Sequence, residues 1–282
     1  MKVAVTGATG LLGKAFIKKY AKELDIIAIS RKPNTPNTVY SDFSFESLTR
    51  IFSGLDGLIH FAAQRPLGSI STNTNHKLDE VVFNASHTAS LKNIVFTSSR
   101  SVYGNNEAPW VEDKSNVTPL TEYALNKAQS ELTALSYNES KGMHIKILRL
   151  AQILSADEFD GSMIKTFIDN AHKKKEIIVT VEGVRREYIY INDLVEAIYI
   201  ALSYPQHSGI YNLGTGECLS ILELANLTAE AFGCQNLVSF IPESKVSEFS
   251  LMDSNKFYND FNWKPKFQLK SALKSISTSY QG

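Results

Sequence analysis

Five short runs in the first half of the chain are almost unbroken in their hydrophobicity: KVAVTG (Lys2–Gly7), IIAIS (Ile26–Ser30), GLIHFAA (Gly57–Ala63), NIVFTSS (Asn93–Ser99) and IKILRLA (Ile145–Ala151). A strand with one wet face alternates, whereas strands of a parallel sheet covered by helices on both faces read as continuous apolar runs. Between these runs lie stretches with helical spacing at Leu12–Glu23, Phe45–Phe52, Asn75–Ser90 and Tyr123–Lys141. The order is βαβα, which predicts an α/β fold on a doubly wound parallel sheet.

The second half is less regular. Helices are predicted over Ser162–Lys173, Asp193–Leu202 and Ile221–Phe232, the last introduced by Ser220 as N-cap. Glu176–Val181 and Tyr188–Ile191 read as two separate strands, and the tail NWKPKFQLKSALKSI ends in a short amphipathic helix. The texture changes near Gln152, so residues 1–151 and 152–282 are expected to form a larger domain and a smaller mixed α/β domain. Lys173–Lys175 closes a helix, where cations are favourable against the helix dipole.

Composition narrows the classes of function. Lys plus Arg and Asp plus Glu both number 29, so no general field draws nucleic acid or an anionic membrane. Neither is expected as a partner. Cys218 and Cys234 have no metal-site spacing, and His60, His76, His87, His144, His172 and His207 form no ligand cluster in sequence, so no metal is expected. With a strand from Lys2 leaving no room for a targeting segment, and no apolar run long enough to cross a bilayer, a cytoplasmic location is expected.

The first strand runs directly into TGATGLLG, with Gly7, Gly10 and Gly13 before a helix. In a dinucleotide site the first glycine permits a tight turn, the second lets backbone approach a pyrophosphate and the third lets helix pack on strand. The unpaired N–H groups of the helix start then face the phosphates. This setting predicts a Rossmann-type nucleotide domain over 1–151. The spacing Gly-x-x-Gly-x-x-Gly resembles the extended, nucleotide-sugar-modifying branch of the short-chain dehydrogenase/reductase superfamily, the NAD-dependent epimerase/dehydratases. That resemblance implies cofactor contacts at Gly7, Gly10, Leu11, Leu12, Gly13, Arg31, Asp42, Ala62 and Lys127. At the end of the second strand stand Ser30, Arg31 and Lys32, without the acid that would hold a ribose 2′-hydroxyl, so NADP(H) is favoured over NAD(H). Asp42 matches a family position that holds the adenine amino group and is equally a helix cap on its own residues.

Hydride transfer at a carbonyl needs a proton delivered to, or removed from, its oxygen. A tyrosine does this when its pKa is brought down from about 10 by a nearby ammonium. Tyr123 and Lys127 in EYALNK stand at i and i+4 of one predicted helix and so share a face, although such a pair is common on helix surfaces too. Ser99 ends a strand that runs into SRSVYG, which places its hydroxyl at the carboxyl end of the sheet, where ligands bind. The Ser-Ser-x-x-Val-Tyr-Gly segment followed by Tyr-x-x-x-Lys resembles the same family. Carried over, it implies Ser99 as the catalytic hydroxyl, Tyr123 as acid/base and Lys127 as the group that holds the nicotinamide ribose. Asn75, with Asn73 as the alternative, matches an asparagine that steadies the substrate site.

The likeness covers the whole chain. RREYIYINDLVEAI resembles a family segment that returns to the first domain, so 186–212 is expected there. Arg186 in it is a candidate clamp for a substrate diphosphate, or the partner of a neighbouring Glu; Asp193 is expected to cap the following helix. YNLGTG reads as a turn or structural joint. Departures are the altered loop Gln152–Gly161, the missing late arginine around Glu248–Met252, and Arg100 and Ser101 where sugar 4,6-dehydratases carry Asp-Glu. The last argues against dehydration. The resulting expectation is NAD(P)-dependent hydride transfer at C4 of a nucleotide sugar, with 4-keto reduction ahead of 4-epimerisation on retained NAD. A non-enzymatic nucleotide-binding protein is a third reading. The resemblance also implies a homodimer.

Overall fold

Along β1 (Lys2–Thr6), Val3 and Val5 enter one apolar core and Ala4 another, because successive residues of a strand point to opposite faces. Val95 parts from Ile94 and Phe96 in the same way, so the central strands are buried on both sides. The structure, a computed structural model, describes residues 1–63 and 75–280. After β1 come β2 (Asp25–Ser30), β3 (Val39–Tyr40), β4 (Gly57–His60), β5 (Asn93–Ser99), β6 (His144–Leu150) and β7 (Gln152–Leu154). They are followed by β8 (Ile177–Tyr190), β9 (Gly209–Leu213), β10 (Cys218–Ser220) and β11 (Val238–Ser250). The helices are α1 (Leu11–Tyr20), α2 (Phe45–Phe52), α3 (Asn75–Thr88), α4 (Glu122–Lys141) and α5 (Met163–His172). Then come α6 (Ile191–Leu202), α7 (Ile221–Phe232), α8 (Asn255–Phe261) and α9 (Leu269–Ser279).

Seven strands form one sheet in the order β3, β2, β1, β4, β5, β6, β9, with every pairing parallel. The predicted doubly wound α/β fold is thus present. The chain first builds outward from β1 to β3 and then returns to β4 on the other side of β1. In such a sheet the crevice at the carboxyl ends of the strands where the order reverses is the ligand site. Three of the segments singled out in the sequence end there: β1 in Gly7, β4 two residues before Ala62, and β5 in Ser99.

Helix ends follow local chemistry. Thr121 Oγ1 accepts from Ala124 N at the start of α4, and Gly142 ends that helix in the left-handed region at φ 59°. Ser220 and Glu223 form a reciprocal capping box at α7. These caps fix where Tyr123 falls, at the second residue of α4.

The smaller sheet departs from expectation. Two strands are predicted over 176–181 and 188–191; the structure has one, β8, with β10 antiparallel on one edge and β11 parallel on the other. Gly183 and the charged Glu182, Arg185, Arg186 and Glu187 hide its middle from a hydrophobic pattern. Gly183, at φ 83°, lets it pass close to β11, since a Cβ there would lie 2.5 Å from the Val246 carbonyl oxygen. The pattern also misses β11, which contains Pro242, is largely exposed and slips register twice against β8. Among the described residues no helix is long and apolar enough to cross a membrane.

Candidate active site

The turn after β1 is built at the width of a glycine. Gly7 has φ 66°, and a Cβ there would lie 2.7 Å from Ala62 N and 2.8 Å from the Phe61 carbonyl carbon. A Cβ on Gly13 would lie 2.3 Å from Gly7 O and 2.6 Å from Ala8 Cα. Helix α1 therefore starts directly over the ends of β1 and β4. Gly10 is its N-cap and offers no side chain, and its first turn holds no acid. The first-turn N–H groups, including those of Leu11, Leu12 and Gly13, lack intrahelical acceptors and remain ready for an anion. The cradle fits the diphosphate of a dinucleotide.

At the far side of this turn, Ser30 Oγ accepts from Lys32 N at 3.1 Å and lies 3.2 Å from Thr35 Oγ1, which shapes the loop after β2. Arg31 is exposed, its guanidinium 5.9 Å from the centre of the Phe43 ring. Asp42 is exposed as well, and one carboxylate oxygen accepts from Ser44 N at 3.0 Å and Ser44 Oγ at 2.8 Å. The Ser44 backbone bond, followed by its hydroxyl, holds the Asp42 carboxyl below the usual range. Ser44, not Asp42, is the N-cap of α2; Asp42 orients that cap from two residues before it.

Ser99 ends β5 and is half-buried. Its Oγ accepts from Ser101 N at 3.2 Å and from Ser101 Oγ at 2.9 Å, which leaves its own proton for another oxygen. Helix α4 packs on β5 and on the short 3₁₀ turn Arg100–Tyr103. Tyr123 is half-buried in its first turn, whereas Lys127, one turn on, is 2% exposed. The Lys127 ammonium lies 4.5 Å from the centre of the Phe96 ring and 3.8 Å from Asp79 Oδ2. Asn75 opens α3 and is buried, and the N–H of the next residue, His76, donates to Asn126 Oδ1 at 3.2 Å. This couples the start of α3 to α4. Asn73 lies outside the described residues.

Sequence reasoning passed over the buried charges behind these groups. Glu131 Oε2 accepts from Arg149 Nη2 at 2.6 Å, and Glu131 Oε1 accepts from Arg149 Nε at 3.0 Å and from the Ser98 hydroxyl. Asp79 falls on the buried stripe of α3 with Asn75, Val82, Phe83 and Ser86. A lone carboxylate on an otherwise inward-facing stripe was the available signal.

On the smaller sheet, Arg186 makes a two-pronged bond to Glu248: Nε to Oε1 at 2.8 Å and Nη2 to Oε2 at 2.7 Å. That bond, opposed by burial and aided by the Glu248 charge, raises the Arg186 pKa. The ion pair considered for Arg186 forms, with a partner 62 residues away in sequence. Arg100 Nη1 donates to Ser250 Oγ at 2.9 Å and lies 3.7 Å from the same Glu248.

Glu187, next to Arg186 in the chain, is fully buried. It accepts from Thr215 N and Gly216 N at 2.7 Å and from Met252 N at 2.9 Å. Burial pushes its carboxyl up, against those three bonds. YNLGTG is thus a joint. Asp193 does not cap α6: it lies in the first turn and accepts from Lys266 N and Phe267 N, tying down the tail before α9. Among the described residues no group of acids, histidines or cysteines could hold a metal.

The sequence profile of the NAD dependent epimerase/dehydratase family matches residues 3–214. The dTDP-glucose 4,6-dehydratase of Streptomyces niveus is 24% identical, over 97% of this chain and 90% of that protein. A putative UDP-glucose 4-epimerase of Methanocaldococcus jannaschii is 25% identical, over 97% and 96%. Among solved structures, the UDP-N-acetylglucosamine 4-epimerase from Bacillus cereus superposes with a TM-score of 0.91 at 26% identity, covering 100% of this chain and 97% of that one. A dTDP-glucose 4,6-dehydratase from Bacillus anthracis in complex with NAD shares the fold, with a TM-score of 0.85 at 18% identity over 100% and 96%. The glycine cradle, the strand-end serine and the helical Tyr/Lys pair lie within the stretch that the profile matches. This chain belongs to the NAD-dependent epimerase/dehydratase family, whose members are enzymes that use a nicotinamide cofactor.

Proposed function

We propose that the chain moves a hydride at C4 of a nucleotide sugar, with Tyr123 as acid/base, Ser99 as hydrogen-bond donor to the reacting oxygen, and Lys127 at the cofactor ribose. The observation that carries this reading is the first two turns of α4. They place a half-buried phenol one turn before a buried ammonium, on a helix packed against the strand that ends in Ser99. When bound, the nicotinamide supplies or accepts the hydride. The protein's part is to orient the sugar, to hold the proton at Tyr123 Oη and to exclude water.

Two outcomes share these groups. Epimerisation at C4 is favoured by the likeness to 4-epimerases over nearly the full length. Net reduction of a 4-keto sugar with NADPH is favoured by Ser30-Arg31-Lys32, which offers positive charge and no carboxylate at the end of β2. Dehydration is disfavoured by Arg100 and Ser101, which supply no carboxyl group beside Ser99. Two chains are expected to associate as a dimer.

A panel of nucleotide sugars, assayed for sugar isomers and for cofactor consumption, tests the reading. Isomer formation without net oxidation of NADPH supports epimerisation, and stoichiometric consumption supports reduction. Tyr123→Phe is expected to lower turnover by about 10²- to 10⁴-fold with cofactor affinity unchanged. Turnover within threefold of wild type would remove Tyr123 from the chemistry.

A further inference from the structure

Lys127 is held from behind by a buried polar chain. Its ammonium lies 3.8 Å from Asp79 Oδ2, and Asp79 Oδ1 is 2.8 Å from His60 Nε2. His60 Nδ1 is 2.6 Å from Thr6 Oγ1, which also accepts from Ala62 N at 3.4 Å. Thr6, His60, Asp79 and Lys127 are each no more than 2% exposed. The chain crosses β1, β4, α3 and α4, from the residue before Gly7 to the lysine of the candidate site. It passes under the floor of the cofactor turn.

A buried carboxylate without compensation is strongly destabilising, so this one must be held by its neighbours. Among the described residues Asp79 Oδ2 accepts no hydrogen bond, and what it faces is the Lys127 charge. Burial pushes the Asp79 carboxyl up, but the Lys127 ammonium, then the His60 bond and charge, bring it below its ordinary value. Among the described residues, the other surroundings of Lys127 offer no second counter-charge. The Phe96 ring covers it from β5, and Tyr123 and Glu131 stand one turn away on either side along α4. Glu131 is already bound by Arg149 and Ser98.

The geometry points to Asp79 as a positioning residue that seats the Lys127 ammonium and keeps it charged, with His60 and Thr6 anchoring the carboxylate to the base of the cofactor turn. The inference rests on the reading of Lys127 as the group that meets the nicotinamide ribose. Without Asp79 the ammonium keeps its burial but loses its counter-charge, and burial that is no longer compensated favours loss of its proton. Cofactor binding should then acquire a pH dependence that the intact site lacks.

The test is NADH titration of the full chain, followed by nicotinamide fluorescence from pH 6.5 to 9.5, with circular dichroism to check folding. Wild type is expected to vary less than threefold over this range. Asp79→Asn is expected to lose tenfold or more between pH 7 and 9 and to recover on return to low pH. Lys127→Met is expected to bind weakly at every pH, and Asp79→Asn in that background to add no pH dependence. A wild-type pH profile in Asp79→Asn, or a pH-dependent loss that persists without Lys127, overturns the inference. If Asp79→Asn alone does not fold, the Asp79→Asn/Lys127→Met pair, which removes both charges, is expected to fold; its failure overturns the inference too. Wild-type affinity in Lys127→Met would overturn both this inference and the reading of Lys127 beneath it.

Discussion

The two sheets hold their charged residues in opposite ways. In the seven-stranded sheet the register of β5 on β6 runs unbroken from Asn93 opposite His144 to Ser99 opposite Leu150, and the ion pair beside it, Arg149 with Glu131, is 2% and 3% exposed. In the smaller sheet β11 slips twice along β8, and the Arg186–Glu248 pair is 30% and 29% exposed. The first arrangement fixes side chains in a low-dielectric interior, where an unpaired charge is costly. The second leaves two side chains in partial contact with water, where exchanging partners costs little. Charge thus fixes the geometry of the large sheet and leaves that of the smaller one adjustable.

The largest test of this contrast is Glu131→Gln. It leaves the Arg149 guanidinium buried without its carboxylate, and urea unfolding should show a loss of about 3–5 kcal/mol. A loss below 1 kcal/mol would mean that the large sheet tolerates charge as easily as the small one. Lys146, fully buried on β6, sharpens the point. Its ammonium meets Asn93 Oδ1 at 2.6 Å and the Tyr204 carbonyl at 3.1 Å, and burial lowers its pKa from 10.5 to about 7. The unfolded chain then binds a proton that the folded chain does not between those two values, so stability should rise with pH across that window. The expected rise is up to about 5 kcal/mol, and Lys146→Met should flatten it. An unchanged slope in the variant would place the titration elsewhere. The smallest effect is expected of Glu248→Gln, with stability within about 1 kcal/mol of wild type because the pair is partly in water. If Arg186 serves a substrate diphosphate, the same change should tighten binding of a nucleoside diphosphate a few-fold in calorimetry. Unchanged or weaker binding would argue that Glu248 does not compete for Arg186.

What could be read from the sequence follows the same division. Phe45–Phe52 and Asn93–Ser99 were legible to the residue, because a capped amphipathic helix and a doubly buried strand each carry a local signal. So was the glycine turn. β8 was read as two pieces and β11 not at all, since their residues are chosen for partners across the sheet: Arg186 for Glu248, Gly183 for the Val246 carbonyl. Asp193 looked like a helix cap because its partners, Lys266 N and Phe267 N, lie more than 70 residues away. Within the candidate site, Ser99, Tyr123 and Lys127 were visible by spacing. Asp79, His60 and Glu131 were not, because a pair of buried opposite charges has no fixed separation along the chain.

Glu187 fastens its surroundings through main-chain amides of Thr215, Gly216 and Met252, and any residue except proline supplies such a donor. The bonds to Glu187 therefore do not specify those three side chains; other constraints do, since Gly216 sits at φ 74°, Met252 is buried and Thr215 Oγ1 donates to the Tyr188 carbonyl. Replacements there are limited by those constraints and not by the carboxylate, whereas Gly214, whose Cβ would lie 2.1 Å from the Glu187 carboxylate, must stay bare.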